Sequence, residues 1–144
     1  MSVMEIKRGV PCVASTATIA DDAYVVGEVD LADNVGVGAR TVIRGDINRI
    51  AVGENTVIGA NCTLHVTDHN PCLVGSGAIV DTDVILHGCT IENDCVIEKN
   101  AIVLNGAIVG EGCIIKADTI ITEGKIFPPN SVIEGIPGRA QAGK

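Results

Sequence analysis

Large apolar residues return at every sixth position along most of this chain. The longest unbroken series begins at Ile91 and ends at Ile133, and shorter series begin at Ile19, Val52 and Val74. The position two residues before most of them holds Ala, Thr or Cys. Neither a helix nor a single strand keeps a six-residue period on one face. The pattern therefore predicts short strands joined by sharp corners, three to a coil, with the apolar side chains inside and the small ones beside them at the corners.

The six-residue period slips over residues 43–52, 64–74 and 86–91. Arg, Asp and His residues cluster at these slips, where a regular coil would need none of them. Departures from an otherwise consistent pattern are expected at functional sites. The slips therefore indicate where the chemistry of the molecule should be sought.

One outward column combines an arginine with two histidines. With three repeats to a coil, the residues that follow the inward positions of one face include Arg44, His65 and His87. The histidines are 22 residues apart, one coil of eighteen plus four inserted residues, so they should lie on neighbouring rungs about 4.8 Å apart. Two imidazoles at this separation can share one metal ion with bonds of about 2.0–2.1 Å. We therefore predict a metal site here, with two solvated surface histidines as the alternative.

The composition excludes several kinds of partner. The chain of 144 residues carries a net charge of −8 and has one Phe, one Tyr and no Trp. It therefore lacks the basic and stacking side chains that bind nucleic acids. No apolar run approaches the roughly 20 residues of a membrane span, and the first ten residues contain no signal-peptide core. We expect one cytoplasmic domain that binds neither nucleic acid nor membrane.

The cysteines are predicted to be reduced residues of the core. Disulfides are rare in the cytoplasm, and four of the six cysteines occupy the small position beside an inward apolar residue: Cys62, Cys89, Cys95 and Cys113. We interpret these four as core residues rather than as a metal or disulfide framework. Cys12 and Cys72 lie outside the repeat pattern, so we expect them to be more exposed.

Four segments carry a resemblance to a known family. VIRGDIN, LHV, ILHGCTI and VLNGAIVG are similar, in order and spacing, to segments of the γ-class carbonic anhydrases and their hexapeptide-repeat relatives. The resemblance implies an all-β fold, a left-handed parallel β-helix over residues 13–135. A lead-in strand over 1–12 would precede it and a short tail over 136–144 would follow it, with little or no C-terminal helix. It also implies a homotrimer with zinc or iron held between subunits.

The resemblance assigns roles to individual residues. His65 and His87 match the two metal ligands that the family takes from one chain, and Thr82 stands where the neighbouring chain supplies a third histidine. Arg44 and Asp46 match an Arg-x-Asp pair that is associated with the trimer interface and with orienting the site. A structural interface ion pair is the alternative interpretation of Arg44 and Asp46.

The chain departs from the family pattern around the implied site. Thr82 replaces a ligand, Gly59 and Ala60 replace a Gln-Asp pair beside the metal-bound solvent, and Gly38 replaces a common Trp. Two imidazoles alone would hold zinc weakly, because catalytic zinc usually has three protein ligands. We therefore expect the metal to be weakly bound or absent.

A substitute third ligand would restore the site. A site of two histidines and one carboxylate is chemically sound. The candidates are Asp68 and His69 in the inserted loop, and Asp81 and Asp83 beside Thr82. The alternatives are that His69 is an ordinary loop residue and that Thr82 simply fills the place of a lost ligand.

Three functions are compatible with these residues. The first is a carbonic-anhydrase-like lyase that interconverts CO2 and bicarbonate at an altered metal site. The second is a catalytically inactive trimer that acts as a scaffold or binding module. The third is a hexapeptide acyltransferase with an acyl-CoA donor, which we favour least because the chain inserts only four residues where such enzymes carry a long substrate loop.

Overall fold

A computed structural model describes residues 2–4 and 9–141 of the chain and confirms an all-β, left-handed parallel β-helix. Residues 1, 5–8 and 142–144, which include parts of the expected lead-in strand and tail, lie outside the description. Across the described ranges there is no α-helix, and so none that could cross a membrane. In chain order the strands are β1 Ser2–Met4, β2 Cys12–Val13, β3 Thr18–Ile19, β4 Tyr24–Leu31, β5 Gly36–Val37, β6 Val42–Val52, β7 Val57–Ile58, β8 Thr63–His65, β9 Cys72–Val74, β10 Ile79–Val80, β11 Ile85–His87, β12 Thr90–Ile91, β13 Val96–Ile97, β14 Ile102–Val103, β15 Ile108–Val109, β16 Ile114–Ile115, β17 Ile120–Ile121, β18 Ile126–Phe127, β19 Val132–Glu134 and β20 Arg139–Ala140.

The strands build three faces of a prism. Face A contains β1, the first half of β4, the first half of β6, β8, β11, β14 and β17, and face B contains β2, the second halves of β4 and β6, β9, β12, β15 and β18. Because β4 and β6 run through the corner between them, these two faces form one sheet. Face C contains β3, β5, β7, β10, β13, β16 and β19, and ends in an antiparallel pairing with β20.

The inward positions form a single core along the prism axis. Leu64, Leu86, Ile97 and Ile115 are fully buried. These residues belong to the six-residue series read from the sequence. Apolar side chains from the strands of all three faces fill the space that the faces enclose. Burial of this apolar surface is the main favourable term for such a fold.

The corners explain how the chain turns three times in each coil. Corner residues take the left-handed backbone region, which Asn and Asp tolerate better than other side chains because their short polar groups bond locally. In the described part of the chain the non-glycine residues with positive φ are Asn34, Arg40, Asn55, Asn61, Asp83, Asp94, Asn100, Asp118 and Asn130. All but one are therefore Asn or Asp.

The cysteines follow the core prediction with one correction. The four cysteines in small positions are buried and Cys12 is exposed, as expected. The prediction for Cys72 was wrong, because it is also fully buried. The inserted residues lie in the loop before β9, so Cys72 returns to the small position two residues before the inward Val74. Burial raises the pKa of the Cys95 thiol to about 11, which keeps that thiol protonated at neutral pH.

Gly38 lies where two rungs approach too closely for a side chain. A Cβ atom there would lie 2.5 Å from the backbone carbonyl carbon of Gly59 and 2.7 Å from the backbone nitrogen of Ala60. We expect Gly38→Ala to lower the free energy of unfolding by about 1–3 kcal/mol, the usual effect of overpacking. Denaturant unfolding at fixed protein concentration would measure it.

Gly36→Ala is the matched control, since it changes the same residue type two positions earlier, in β5. A Cβ at Gly36 would meet only the Thr18 hydroxyl, at an ordinary 3.7 Å. Replacing this glycine should leave stability unchanged or slightly raised, because the unfolded chain loses freedom. Equal unfolding midpoints for the two variants would contradict the close approach at Gly38.

Candidate metal centre

His65 and His87 stack at the edge where face A meets face B. The parallel register of β8 and β11 places His65 beside His87 on neighbouring rungs. Their ring centroids are 5.2 Å apart and the rings are tilted by 31°. The residues before them, Leu64 and Leu86, point inward and are fully buried, so the alternation of the strand turns both imidazoles outward. This is the arrangement that the repeat spacing predicts.

Asp46 connects His65 to Arg44 at the same edge. The Nε2–H of His65 donates to Asp46 Oδ1 at 2.9 Å, and Arg44 Nε lies 3.4 Å from Asp46 Oδ2. Partial burial alone would raise the pKa of the Asp46 carboxyl, but the hydrogen bond and charge of His65 and the charge of Arg44 outweigh it and lower that pKa. Asp46 is therefore a carboxylate at neutral pH, and a carboxylate can only accept the hydrogen bond from His65.

Asn105 makes a contact with His87 that the sequence reasoning missed. Its Oδ1 lies 2.6 Å from His87 Nδ1. The VLNGAIVG segment was recognised as similar to the family, but its asparagine was given no role. Counting gave no signal, because the coil after His87 is one residue short: Leu86 pairs with Val103, which places Leu104 level with His87. Asn105 lies one residue past that column, level with Gly88, and its side chain reaches back to His87.

Thr82 lies at a different edge of the prism from the histidines. It belongs to the turn between β10 and β11, where face C meets face A, and its N–H donates to Asp81 Oδ1 at 2.7 Å. Asp83 has a φ of 61° and donates its N–H to the Ala60 carbonyl at 3.0 Å. Position 82 therefore neighbours Ala60 on this edge. The length of face A separates Thr82 and Asp83 from the histidine pair of the same chain.

The remaining candidates, Asp68 and His69, are exposed in the inserted loop. Asn48 anchors this loop, because its Nδ2 donates to the carbonyls of Thr67 and Asp68 at 3.2 and 3.3 Å. Within residues 2–4 and 9–141, no three His, Cys, Asp or Glu side chains form a group that could hold a metal ion. A single chain thus pairs His65 with His87 and with Asp46, but its described residues do not complete a three-ligand metal group.

The chemistry of the histidine pair fits a shared metal ion. Because the Asn105 oxygen accepts from His87 Nδ1–H, Nε2 of that ring carries the lone pair that a metal requires. His65 Nε2 instead carries a hydrogen bonded to Asp46, so that nitrogen could become a ligand only after the ring changes tautomer and its hydrogen resides on Nδ1. Two imidazoles on neighbouring rungs suit a metal site that takes its remaining ligands from elsewhere.

Comparison with known proteins shows the family of this chain. A family model described as bacterial transferase hexapeptide (six repeats) matches residues 88–123. A "Probable carbonic anhydrase" from Methanocaldococcus jannaschii is 37% identical over 127 residues, covering 88% of this chain and 80% of that protein. Protein YrdA of Escherichia coli K12 is 40% identical over 90 residues, covering 58% of this chain but only 49% of YrdA. The chain thus matches about half the length of YrdA.

A solved structure gives the same result at the level of the fold. A hexapeptide transferase family protein from Anaplasma phagocytophilum superposes with a TM-score of 0.93 at 31% identity, over 97% of this chain and 82% of that one. One group of proteins accounts for the repeat, the prism and the stacked histidines. The same group includes the archaeal relative that this chain matches along most of its length. This chain belongs to the γ-carbonic-anhydrase-like family of hexapeptide-repeat proteins.

Proposed function

We propose that this protein is a homotrimer that binds zinc or iron between subunits and acts as a carbonic-anhydrase-like protein on CO2 and bicarbonate. The observation that carries the proposal is the division of the site between two edges. His65 and His87 lie at the edge of faces A and B, whereas position 82 lies at the edge of faces C and A. Residues so divided form one site only when the edges of two copies meet.

Each polar residue has a part in the proposed site. His65 and His87 would hold the metal ion, which when bound supplies Lewis-acid activation of water. Asp46 accepts the hydrogen bond of His65 Nε2–H, a hydrogen that would have to move to Nδ1 before Nε2 could hold the metal, and Arg44 keeps the carboxylate in place. Thr82 of a neighbouring copy would face the metal without replacing the missing histidine. His69 and Asp83 remain the proposed substitute ligands.

The site lacks groups that fast catalysis would use. Gly59 and Ala60 offer no polar side chain, and a Cβ at Gly59 would already lie 3.0 Å from the backbone carbonyl carbon of Asp81. The loss of groups that orient a metal site costs about 10–100-fold. We therefore propose weak metal binding and slow CO2 hydration, in the cytoplasm.

A catalytically silent trimer is the second candidate. The tight packing at Gly59 favours it, because any side chain there would have to displace the backbone of Val80 and Asp81, which lies 3.0–3.2 Å from the added Cβ. An acyltransferase is the third candidate, and the similarity to a hexapeptide transferase family protein supports it. Acetyl-CoA binding by the purified protein would favour that third function.

Three measurements on the untagged protein, prepared without chelators, test the proposal together. We expect a mass in solution of three times the 14.8 kDa chain, bound zinc or iron after loading, and measurable CO2 hydration by stopped flow. A monomer at micromolar concentration would overturn the divided site. A trimer that never retains metal would support the silent scaffold instead.

A further inference from the structure

We infer that Asn105 is the positioning residue of the metal centre, which selects the tautomer of His87 and presents its Nε2 as the ready ligand. The inference rests on the proposed metal function and goes further, because it assigns different tasks to the two histidines. It also gives a role to a residue that the four recognised segments left without one.

The contact with Asn105 decides where the proton of His87 resides. An amide oxygen can only accept a hydrogen bond, so at 2.6 Å from His87 Nδ1 it requires a hydrogen on that nitrogen. The neutral ring then has its lone pair on Nε2. Metal-binding histidines are commonly held in this way by an acceptor on the other ring nitrogen.

The backbone around Asn105 is held on both sides, so its side chain starts from a defined position. The carbonyl of Asn105 accepts from Gly124 N–H at 2.9 Å, and Gly106 N–H donates to the Gly88 carbonyl at 2.8 Å. Gly88 directly follows His87 and Gly106 directly follows Asn105. The same ladder of backbone bonds therefore sets the spacing between the ring and the amide.

His65 has the opposite arrangement. Its Nε2–H donates to the Asp46 carboxylate, so the nitrogen that would bind the metal is occupied in this state. His87 Nε2 has no hydrogen-bond partner among the residues that the structure covers. His87 Nε2 would consequently be ready to hold a metal ion, whereas His65 Nε2 would hold one only after its hydrogen has moved to Nδ1 and the bond to Asp46 is lost. Loss of Asn105 should then weaken metal binding although Asn105 does not touch the metal.

Asn105→Leu removes the acceptor at similar volume, and Asn105→Asp keeps an oxygen in the same place. We expect Asn105→Leu to lower the affinity for Co²⁺ and Zn²⁺ by about 10–100-fold. Asn105→Asp should bind at least as tightly as the parent chain, because a carboxylate is a stronger acceptor. Competition with a chromophoric chelator on the full chain measures both.

The ¹⁵N signals of the histidine rings, recorded on metal-free protein, give a readout that a merely structural role would not change. His87 should be protonated at Nδ1 in the parent chain and in Asn105→Asp, and should shift toward the Nε2–H tautomer in Asn105→Leu.

Asn93→Leu is the matched control. Asn93 also precedes a positive-φ corner residue, but its Oδ1 accepts from the Ser76 backbone N–H at 2.8 Å rather than from a histidine. This control should change neither readout.

Parent-like affinity and tautomer in Asn105→Leu would overturn the inference, as would an Nε2–H tautomer in Asn105→Asp. Failure of the proposed function is a separate result. If the parent chain binds no metal, the metal-free spectra still decide whether Asn105 selects the tautomer of His87.

Discussion

Thr82→His is expected to raise the metal affinity of this protein by about 100-fold. Structural zinc sites of four ligands contribute about 10–16 kcal/mol, or roughly 3 kcal/mol for each ligand. One imidazole added to a rigid scaffold should therefore have an effect of this size, since the fold already holds the other two ligands on neighbouring rungs.

The position accepts an imidazole without backbone strain. Positive φ falls on the next residue, Asp83, and Thr82 is half-buried at the edge beside Ala60. A histidine there would point away from the His65 and His87 of its own chain and toward a neighbouring copy. The added affinity should therefore appear only in the trimer.

Ala117→His is the matched control for this variant. Ala117 lies at the same edge two rungs further along and also precedes a positive-φ residue, Asp118. Its distance from position 82 is about 9.6 Å, twice the spacing of neighbouring strands, so it should leave the metal affinity unchanged. Chelator competition measures both variants. A zinc-soaked crystal of Thr82→His without the new histidine on the metal would contradict the divided site.

Tight metal binding in Thr82→His need not bring fast turnover. Gly59 and Ala60 would still lack polar groups, so we expect CO2 hydration to remain slow. Gly59→Gln should raise it only as far as the backbone of Asp81 gives way to the new Cβ, which would start 3.0 Å from that carbonyl carbon.

Replacement of His65 and His87 together by Ala is expected to abolish metal binding. The chain places these two imidazoles on neighbouring rungs. Its described residues contain no group of three His, Cys, Asp or Glu side chains that could hold the metal instead. His87→Ala should cost more affinity than His65→Ala, since only His87 presents a free Nε2. Metal analysis after loading and dialysis measures all three.

The fold should survive these replacements, because the inward neighbours Leu64 and Leu86 remain buried. His69→Ala is the control, a histidine of the exposed inserted loop. It should keep the metal of the parent chain if His69 is an ordinary loop residue. A double variant of His65 and His87 that loads like the parent chain would show that the metal is held elsewhere.

The sequence alone determined the prism and the position of the histidine pair. A six-residue apolar period permits only one assignment of inward positions, so the three faces and the shared edge of His65 and His87 follow by counting. The same counting places Thr82 on another edge. The prediction is strong because each rung repeats the last, and the three slips of the period shift the register by numbers of residues that can be counted.

Only the tertiary structure decided how the polar side chains pair. It showed the bond between Asp46 and His65, the contact between Asn105 and His87, and the burial of Cys72. These depend on side-chain rotamers and on how an inserted loop rejoins the coil, and neither has a period that sequence reasoning can count. A hydrogen bond also requires two atoms about 3 Å apart, which is shorter than the spacing between rungs. Counting residues therefore places a side chain on the correct edge but does not identify its hydrogen-bond partner.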